Sequence, residues 1–274
     1  MTELDGFEQD RTGWGGSGAY TSPVDLLTLH TTEGNGIEGA RSTLNQHGSQ
    51  PHVLVEARAA KGRRKIQMVD LDRAAKALRN QAGGIQTNKN GTLQIELVGF
   101  AAHPENLTED DWLWFGREVV GPMCRAKGIP LQAPLGFHPY PPPGHQLGRE
   151  PWRVVGDDGD TIQGIVGHQN WRENVHGDPG DLSAPLYRSG TTSAIDLILE
   201  GADAPTPTPP TPKPEGLLMA LTDDEQAELL AKIRDLHEQW IGKQVDAKDE
   251  SLRQLLKTIG TRTSDLVTGK RPGR

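Results

Sequence analysis

The chain has 274 residues, enough for one large domain or a domain with an appendage. Apolar residues make up 34%, and 33 glycines with 20 prolines place much of the chain in loops or linker. The net charge of −8 argues against nucleic acid or an anionic membrane as the main partner, and no run approaches the ~18 apolar residues of a membrane span. A lone cysteine, Cys124, cannot form an internal disulfide.

The first residues, MTELDGFEQDRTGWGG, start acidic and lack the apolar core of a secretory leader. The expectation is a protein made in the cytoplasm that reaches any external substrate only after release. Val24 to His30 (VDLLTLH) is a short apolar run that ends polar and reads as a buried strand. His52 to Glu56 and Lys65 to Asp70 read as a hairpin around AAKGRRK, whose basic run Lys61 to Lys65 is expected at a solvated tip. Leu93 to Phe100 (LQIELVGF) reads as another strand. Thr108 to Lys127 has a capping Thr, an acidic first turn and apolar Trp112, Phe115, Val119 and Met123 on one face, which predicts a helix; Cys124 falls inside it as packing. Leu131 to Gly159 is rich in Pro and Gly and is expected to be a long surface loop carrying His138, Tyr140 and His145. Thr161 to His168 (TIQGIVGH) is strand-like again. Strands alternating with helices indicate an α/β domain over residues 1–202.

Asp203 to Gly216 (DAPTPTPPTPKPEG) holds six prolines, which exclude helix and sheet and favour an extended spacer. Residues 217–274 carry ten acidic and ten basic residues and read as a separate helical module. Thr222 and Glu225 fit a capping box, and Leu229, Ile233, Leu236 and Trp240 form one apolar seam, with Leu252, Leu256 and Ile259 out of phase behind it. A seam this short needs a partner; self-association is preferred, with docking on the first domain or binding to the substrate surface as the alternatives.

Chemistry gathers where strands end. His30 closes VDLLTLH and His168 closes IQGIVGH, followed by QNWRENVHGDPGDL with His176, Asp178 and Asp181. Two imidazoles and a carboxylate make a suitable catalytic zinc set, but spacing alone gives only a candidate metal site.

The order LHTTEG, then QIELVG, then GH followed ten residues later by the Asp of HGDPG, resembles the type 2 N-acetylmuramoyl-L-alanine amidases, zinc enzymes of the peptidoglycan-recognition-protein fold. The resemblance runs from about Val24 to Tyr187, includes QPHVLVEA and NQAGGIQTNKNGTLQIELVGFA, and is strongest toward endolysin amidase domains of actinobacterial phages. It implies a mixed central β-sheet flanked by helices and a peptidoglycan substrate. It implies zinc held by His30, His168 and Asp178, with Glu96 as general base. His176 matches a position often held by Lys and implied to stabilise an oxyanion. The implied reaction is hydrolysis of the amide between N-acetylmuramic acid and L-alanine. A cytosolic amidase acting on soluble wall fragments and a noncatalytic peptidoglycan-binding module remain as alternatives. Asp181 is expected to be a turn residue, His52 to brace the site or pack, and Asn45, Gln46 and His47 to line a saccharide groove.

Overall fold

The structure, a computed structural model, describes residues 2–80, 86–140, 150–156, 161–173, 176–204 and 232. The chain divides into two units, Met1–Thr206 and Pro207–Arg274, and the described fold is that of the first. The spacer beyond Ala204 and the tail seam lie outside the described residues, as do His145 and the acidic turn at 157–160. No helix among the described residues is long and apolar enough to cross a membrane.

The elements run β1 (Glu8–Gln9), β2 (Leu26–Thr31), α1 (Ile37–His47), β3 (Val53–Glu56), β4 (Arg64–Gln67), β5 (Thr92–Leu97), α2 (Glu109–Phe115), α3 (Gly121–Lys127), β6 (Gly164–Gly167), β7 (Pro185–Tyr187), β8 (Thr192–Ser193) and α4 (Ala194–Asp203). Six strands form one sheet in the order β1-β4-β3-β5-β2-β6, and β7 and β8 pair separately. The sheet is mixed: β3 and β4 are antiparallel, and every other neighbouring pair in it is parallel.

Side chains alternate across a strand, so the sheet has two unlike faces. Leu27, Leu29, Val53, Val55, Leu93, Ile95 and Ile165 point to one and share a core with Trp112, Phe115 and Met123 and with Leu197 and Ile198 of α4. The other face carries Leu54 and Ile66 under α1, then the polar series Thr28, His30, Gln94 and Glu96, all buried. Burying a polar row needs partners. Thr28 Oγ1 meets Thr92 Oγ1 at 2.8 Å and accepts from the indole N–H of the buried Trp171 at 3.0 Å.

The helix expected over 108–127 forms and begins as its sequence indicates. Thr108 Oγ1 accepts from the Asp111 amide, and the Asp111 carboxylate accepts from the Thr108 amide. It is interrupted, however, by a wider π-helical stretch, Gly116–Val120, between α2 and α3. The expected hairpin forms as β3 and β4. Its basic run is committed to ion pairs: Arg63 with Asp110 and Asp111, Arg64 with Glu8 and Glu38, Lys65 with Glu118.

Helices α1 and α4 carried no sequence expectation. Helix α4 starts on a second capping box, Ser193 with Asp196, and crosses α2 through glycine. A Cβ on Gly201 would lie 2.3 Å from the Leu113 carbonyl oxygen, and one on Gly116 would lie 2.2 Å from that of Ile198. Real side chains do not fit there, so the crossing requires both glycines. Gly201→Ala is expected to cost about 1–3 kcal/mol by forcing the helices apart, read as a lowered urea midpoint with an unchanged slope.

Candidate functional site

Strand register builds the site. On the parallel pair β2 and β5, His30 lies opposite Glu96, and on β2 and β6, Leu29 lies opposite Gly167, so His168 leaves the sheet at the level of His30. The chain turns at once into a 3₁₀ turn, His168–Asn170, held by buried amides. Asn170 Oδ1 accepts from the Gly167 amide at 2.7 Å, and Gln169 Nε2 donates to the Gly180 carbonyl at 3.0 Å. The Gln169 amide donates to the carbonyl of Asp178 itself at 3.0 Å. Gly180, at φ +80°, has no room for a Cβ against the Ala101 carbonyl. The Asp178 loop is thus pinned to both the histidine turn and the end of β5.

Three donor atoms converge. His30 Nδ1 and His168 Nδ1 are 3.0 Å apart, His168 Nδ1 lies 3.2 Å from Asp178 carboxylate oxygen, and His30 Nδ1 lies 3.6 Å from Asp178 Oδ2. All three residues are buried. Ligands of a tetrahedral zinc ion, each at ~2.0–2.1 Å from the metal, sit roughly 3.3–3.4 Å from one another. The observed separations bracket that edge, and the buried set of two histidines and an aspartate is compatible with a metal site. Two imidazole nitrogens and a carboxylate facing one another out of water are three acceptors that need a shared cation or protons. Burial and the neighbouring His168 push His30 down to about 4, which leaves its lone pair available. Burial raises the Asp178 carboxyl, but the surrounding histidines outweigh it and hold the group well below the usual carboxylate range. Among the described residues His30 Nε2 has no hydrogen-bond partner, and the ring is oriented by its Nδ1 side and by edge-on packing against His168.

Beside this cluster opens a cavity of about 240 Å³ lined by Thr31, Glu33, Arg79, Glu96, Tyr140 and the cluster residues His168 and Asp178, with His176 at its edge. Glu96 is only 9% exposed. Burial, reinforced by Asp178 and Glu33, raises its pKa well above the ordinary value. His176 is exposed and stacks on His168 with ring centroids 4.3 Å apart, its Nδ1 3.6 Å from Asp178 Oδ1. A groove of about 420 Å³ adjoins the cavity over α1, sharing Thr31, Glu33 and Glu96 and floored by small residues such as Gly34, Gly36, Gly39 and Ala40.

All five residues singled out from the sequence come together here. Others resolve differently. Asp181 accepts from the Ser183 and Ala184 amides, as a turn residue does. Asn45 does not line the groove: its amide donates to Asp10, which also holds Arg41, and that faces it away from the small-residue side of α1. His138, in the expected surface loop, stacks on Trp152. His52 is buried under the sheet end. Its Nδ1 accepts from the Gln94 amide, so Nε2 carries the proton and faces the Arg73 carbonyl and the Tyr20 hydroxyl. That ties the wall bearing Arg79 to β5. The same wall is held by Gln94 Oε1 on the Ala77 amide and Asn88 Oδ1 on the Leu78 amide. Sequence reading missed Glu33, Arg79, Gln169 and Asn170 because none lies on a periodic pattern.

No family model and no curated protein sequence matches the chain. Among solved structures, it is similar to a hydrolase, AmiA, of Staphylococcus aureus in complex with its ligand, at 13% identity and a TM-score of 0.44, over 73% of this chain and 84% of that one. It is similar to a PlyL point mutant at 16% identity and a TM-score of 0.34, over 46% of this chain and 77% of that one. A third is the endolysin N-acetylmuramoyl-L-alanine amidase LysCS of Clostridium intestinale, at 10% identity and 0.31, over 47% and 80%.

Two outcomes are expected from this geometry. Removing an outer partner of a zinc ligand typically costs about 10–100-fold in affinity, so Asp178→Ala, which removes one of the three converging donors, is expected to weaken zinc binding by more than about 100-fold in calorimetric titration; unchanged binding would move the metal elsewhere. The second concerns His52, which burial holds at about 4 when folded against ~6.5 when unfolded. The unfolded chain therefore takes up protons first as pH falls. Stability of the metal-free protein is expected to be full above ~6.5 and to drop by a few kcal/mol toward pH 4, with His30 acting in the same direction. Urea melts across that range would show it.

Proposed function

We propose that the chain is a zinc-dependent N-acetylmuramoyl-L-alanine amidase that hydrolyses the amide between the lactyl group of muramic acid and L-alanine, separating glycan strand from stem peptide. The observation that carries this reading is the buried His30–His168–Asp178 donor set beside Glu96 at the mouth of an open cavity. The motif resemblance to phage endolysins, together with a proline-rich spacer before a second unit, supports a lytic enzyme that waits in the host cytoplasm and meets the wall when the cell opens.

Each residue has a role that its surroundings suit. His30, His168 and Asp178 would hold zinc, which supplies Lewis-acid polarisation of a carbonyl and lowers the pKa of water toward ~7. Glu96 takes the proton from the attacking water and hands it to the leaving amine nitrogen. Its burial beside two other carboxylates raises its proton affinity, which suits a base that must accept a proton from water. His176, at the cavity edge, donates an N–H to the oxygen that becomes negative as the carbonyl carbon turns tetrahedral. The groove over α1 leaves space for the polymer to either side of the scissile bond.

Digestion of purified peptidoglycan by the zinc-loaded protein is expected to release peptides with free L-alanine amino termini and leave glycan strands intact, with the activity lost to a chelator and restored by zinc. Glu96→Gln is expected to keep zinc and lose about 10²–10⁴-fold in rate. A near-normal rate in that variant would remove Glu96 as the base. No cleavage of wall or of soluble fragments would remove the amidase reading.

A further inference from the structure

Glu33 stands at the junction of the cavity and the groove and lines both. Its backbone is left-handed, φ +49°, which is uncommon for a residue with a side chain and costs free energy that the surroundings must offset. They do so on both sides. The Thr32 amide donates to the Leu97 carbonyl at 3.0 Å, and the Gly34 amide donates to the Gly99 carbonyl at 3.2 Å, so the turn after β2 is stitched to the chain leaving β5. The side chain is held too. Its Oε1 accepts from Thr31 Oγ1 at 2.7 Å and from the Ala101 amide at 2.9 Å. Among the described residues no donor reaches Oε2. A strained backbone and two hydrogen bonds thus fix one carboxylate oxygen and leave the other as an acceptor at the cavity wall.

We propose that Glu33 is a specificity residue for the peptide side of the substrate, accepting a hydrogen bond from a carboxamide N–H of the stem peptide and disfavouring a free carboxylate at the same place. This rests on the amidase reading, and follows from the chemistry of the two sides. The second residue of a stem peptide carries its α-carboxyl either free or amidated, a few bonds beyond the scissile amide. A carboxylate brought against Oε2 meets the like charge of Glu33 there, whereas a carboxamide N–H meets its complement. Arg79 lies on the wall held by Gln94 and Asn88 and lines the same cavity, so the site has a cationic group as well as its acidic residues.

The fixed Oε1 makes the test sharp. In Glu33→Gln the carbonyl oxygen must take the place that accepts from Thr31 and Ala101, and the NH₂ then replaces the open acceptor. The variant keeps the turn and inverts the polarity shown to substrate. Glu33→Gly removes the acceptor and adopts the left-handed backbone without strain.

The experiment is a competition on purified wall whose stem peptides carry both forms at the second residue. Zinc-loaded full-length protein is used, early-released peptides are counted by mass spectrometry, and zinc content and melting temperature are matched across variants. The expected result is enrichment of amidated over free-carboxylate peptides by about 10-fold or more for the natural chain, little preference for Glu33→Gly, and a reversed preference for Glu33→Gln. Release in the wall's own proportion by the natural chain, or the same ratio in all three proteins, overturns the role of Glu33 and leaves the amidase reading standing. Absence of any peptide release overturns both.

Discussion

The parallel pairing of β2 with β5 on one side and β6 on the other is the constraint on which the site depends. One register sets three residues at one height: Glu96 on β5, His30 on β2 and His168 one residue past β6. No loop closure is needed to bring them together, because the backbone ladder that stabilises the sheet also fixes their spacing. The two-residue alternation then sends Leu27, Leu29 and Ile95 into the helix-covered core and Thr28, His30, Gln94 and Glu96 to the opposite face. A slip of one residue in either pairing would exchange the two sets. The apolar half of the pattern therefore guards the polar half: burying the leucines correctly places the histidine and the glutamate.

Asp178 is the member that the sheet does not place. It comes from a loop, and the loop is made rigid by polar groups rather than apolar ones. Gln169 and Asn170 are buried between His168 and the chain that returns through Gly180, and they satisfy backbone groups on both. Buried amides of this kind are costly if misplaced, so they specify one arrangement. The opposite cavity wall is built the same way, with His52, Asn88 and Gln94 tying residues 73–78 to the sheet.

Legibility in the sequence follows the same division. Strands with apolar alternation and a helix with a capped, one-sided pattern were readable, and with them His30 and His168 at strand ends; Glu96 was reached through the family resemblance. Helix α1 was not: GARSTLNQH is mostly polar, since the helix covers the sheet through few residues, chiefly Ile37, with Ala40 and Leu44 half-buried. Helix α4 escaped notice because its capping Ser193 ends a two-residue strand and its glycine looks like a breaker, although Gly201 is what allows the backbone crossing with α2. The π-helical interruption at Gly116–Val120 leaves the apolar faces of Trp112, Phe115, Val119 and Met123 buried, so the pattern of burial is readable while the widened turn is not. Asp178 was reached only through family resemblance, because a loop held by side-chain amides leaves no periodic trace.

Glu33 shows why such positions stay silent. Nothing in LHTTEG marks the residue that will carry a positive φ; a glycine follows it, and a reader of turn chemistry would assign the left-handed conformation to that glycine. The fold does otherwise because the amides on either side, Thr32 and Gly34, are both claimed by carbonyls at the end of β5. With those two bonds made, the residue between them must turn left-handed, and its side chain is thrown back over the strand ends toward Thr31 and Ala101. The same pairing of β2 with β5 that aligns His30 with Glu96 thus forces Glu33 to the cavity wall. The two imidazole donors, the candidate base and the carboxylate of Glu33 are consequences of one strand register, and their relative positions cannot be varied independently without remaking the sheet.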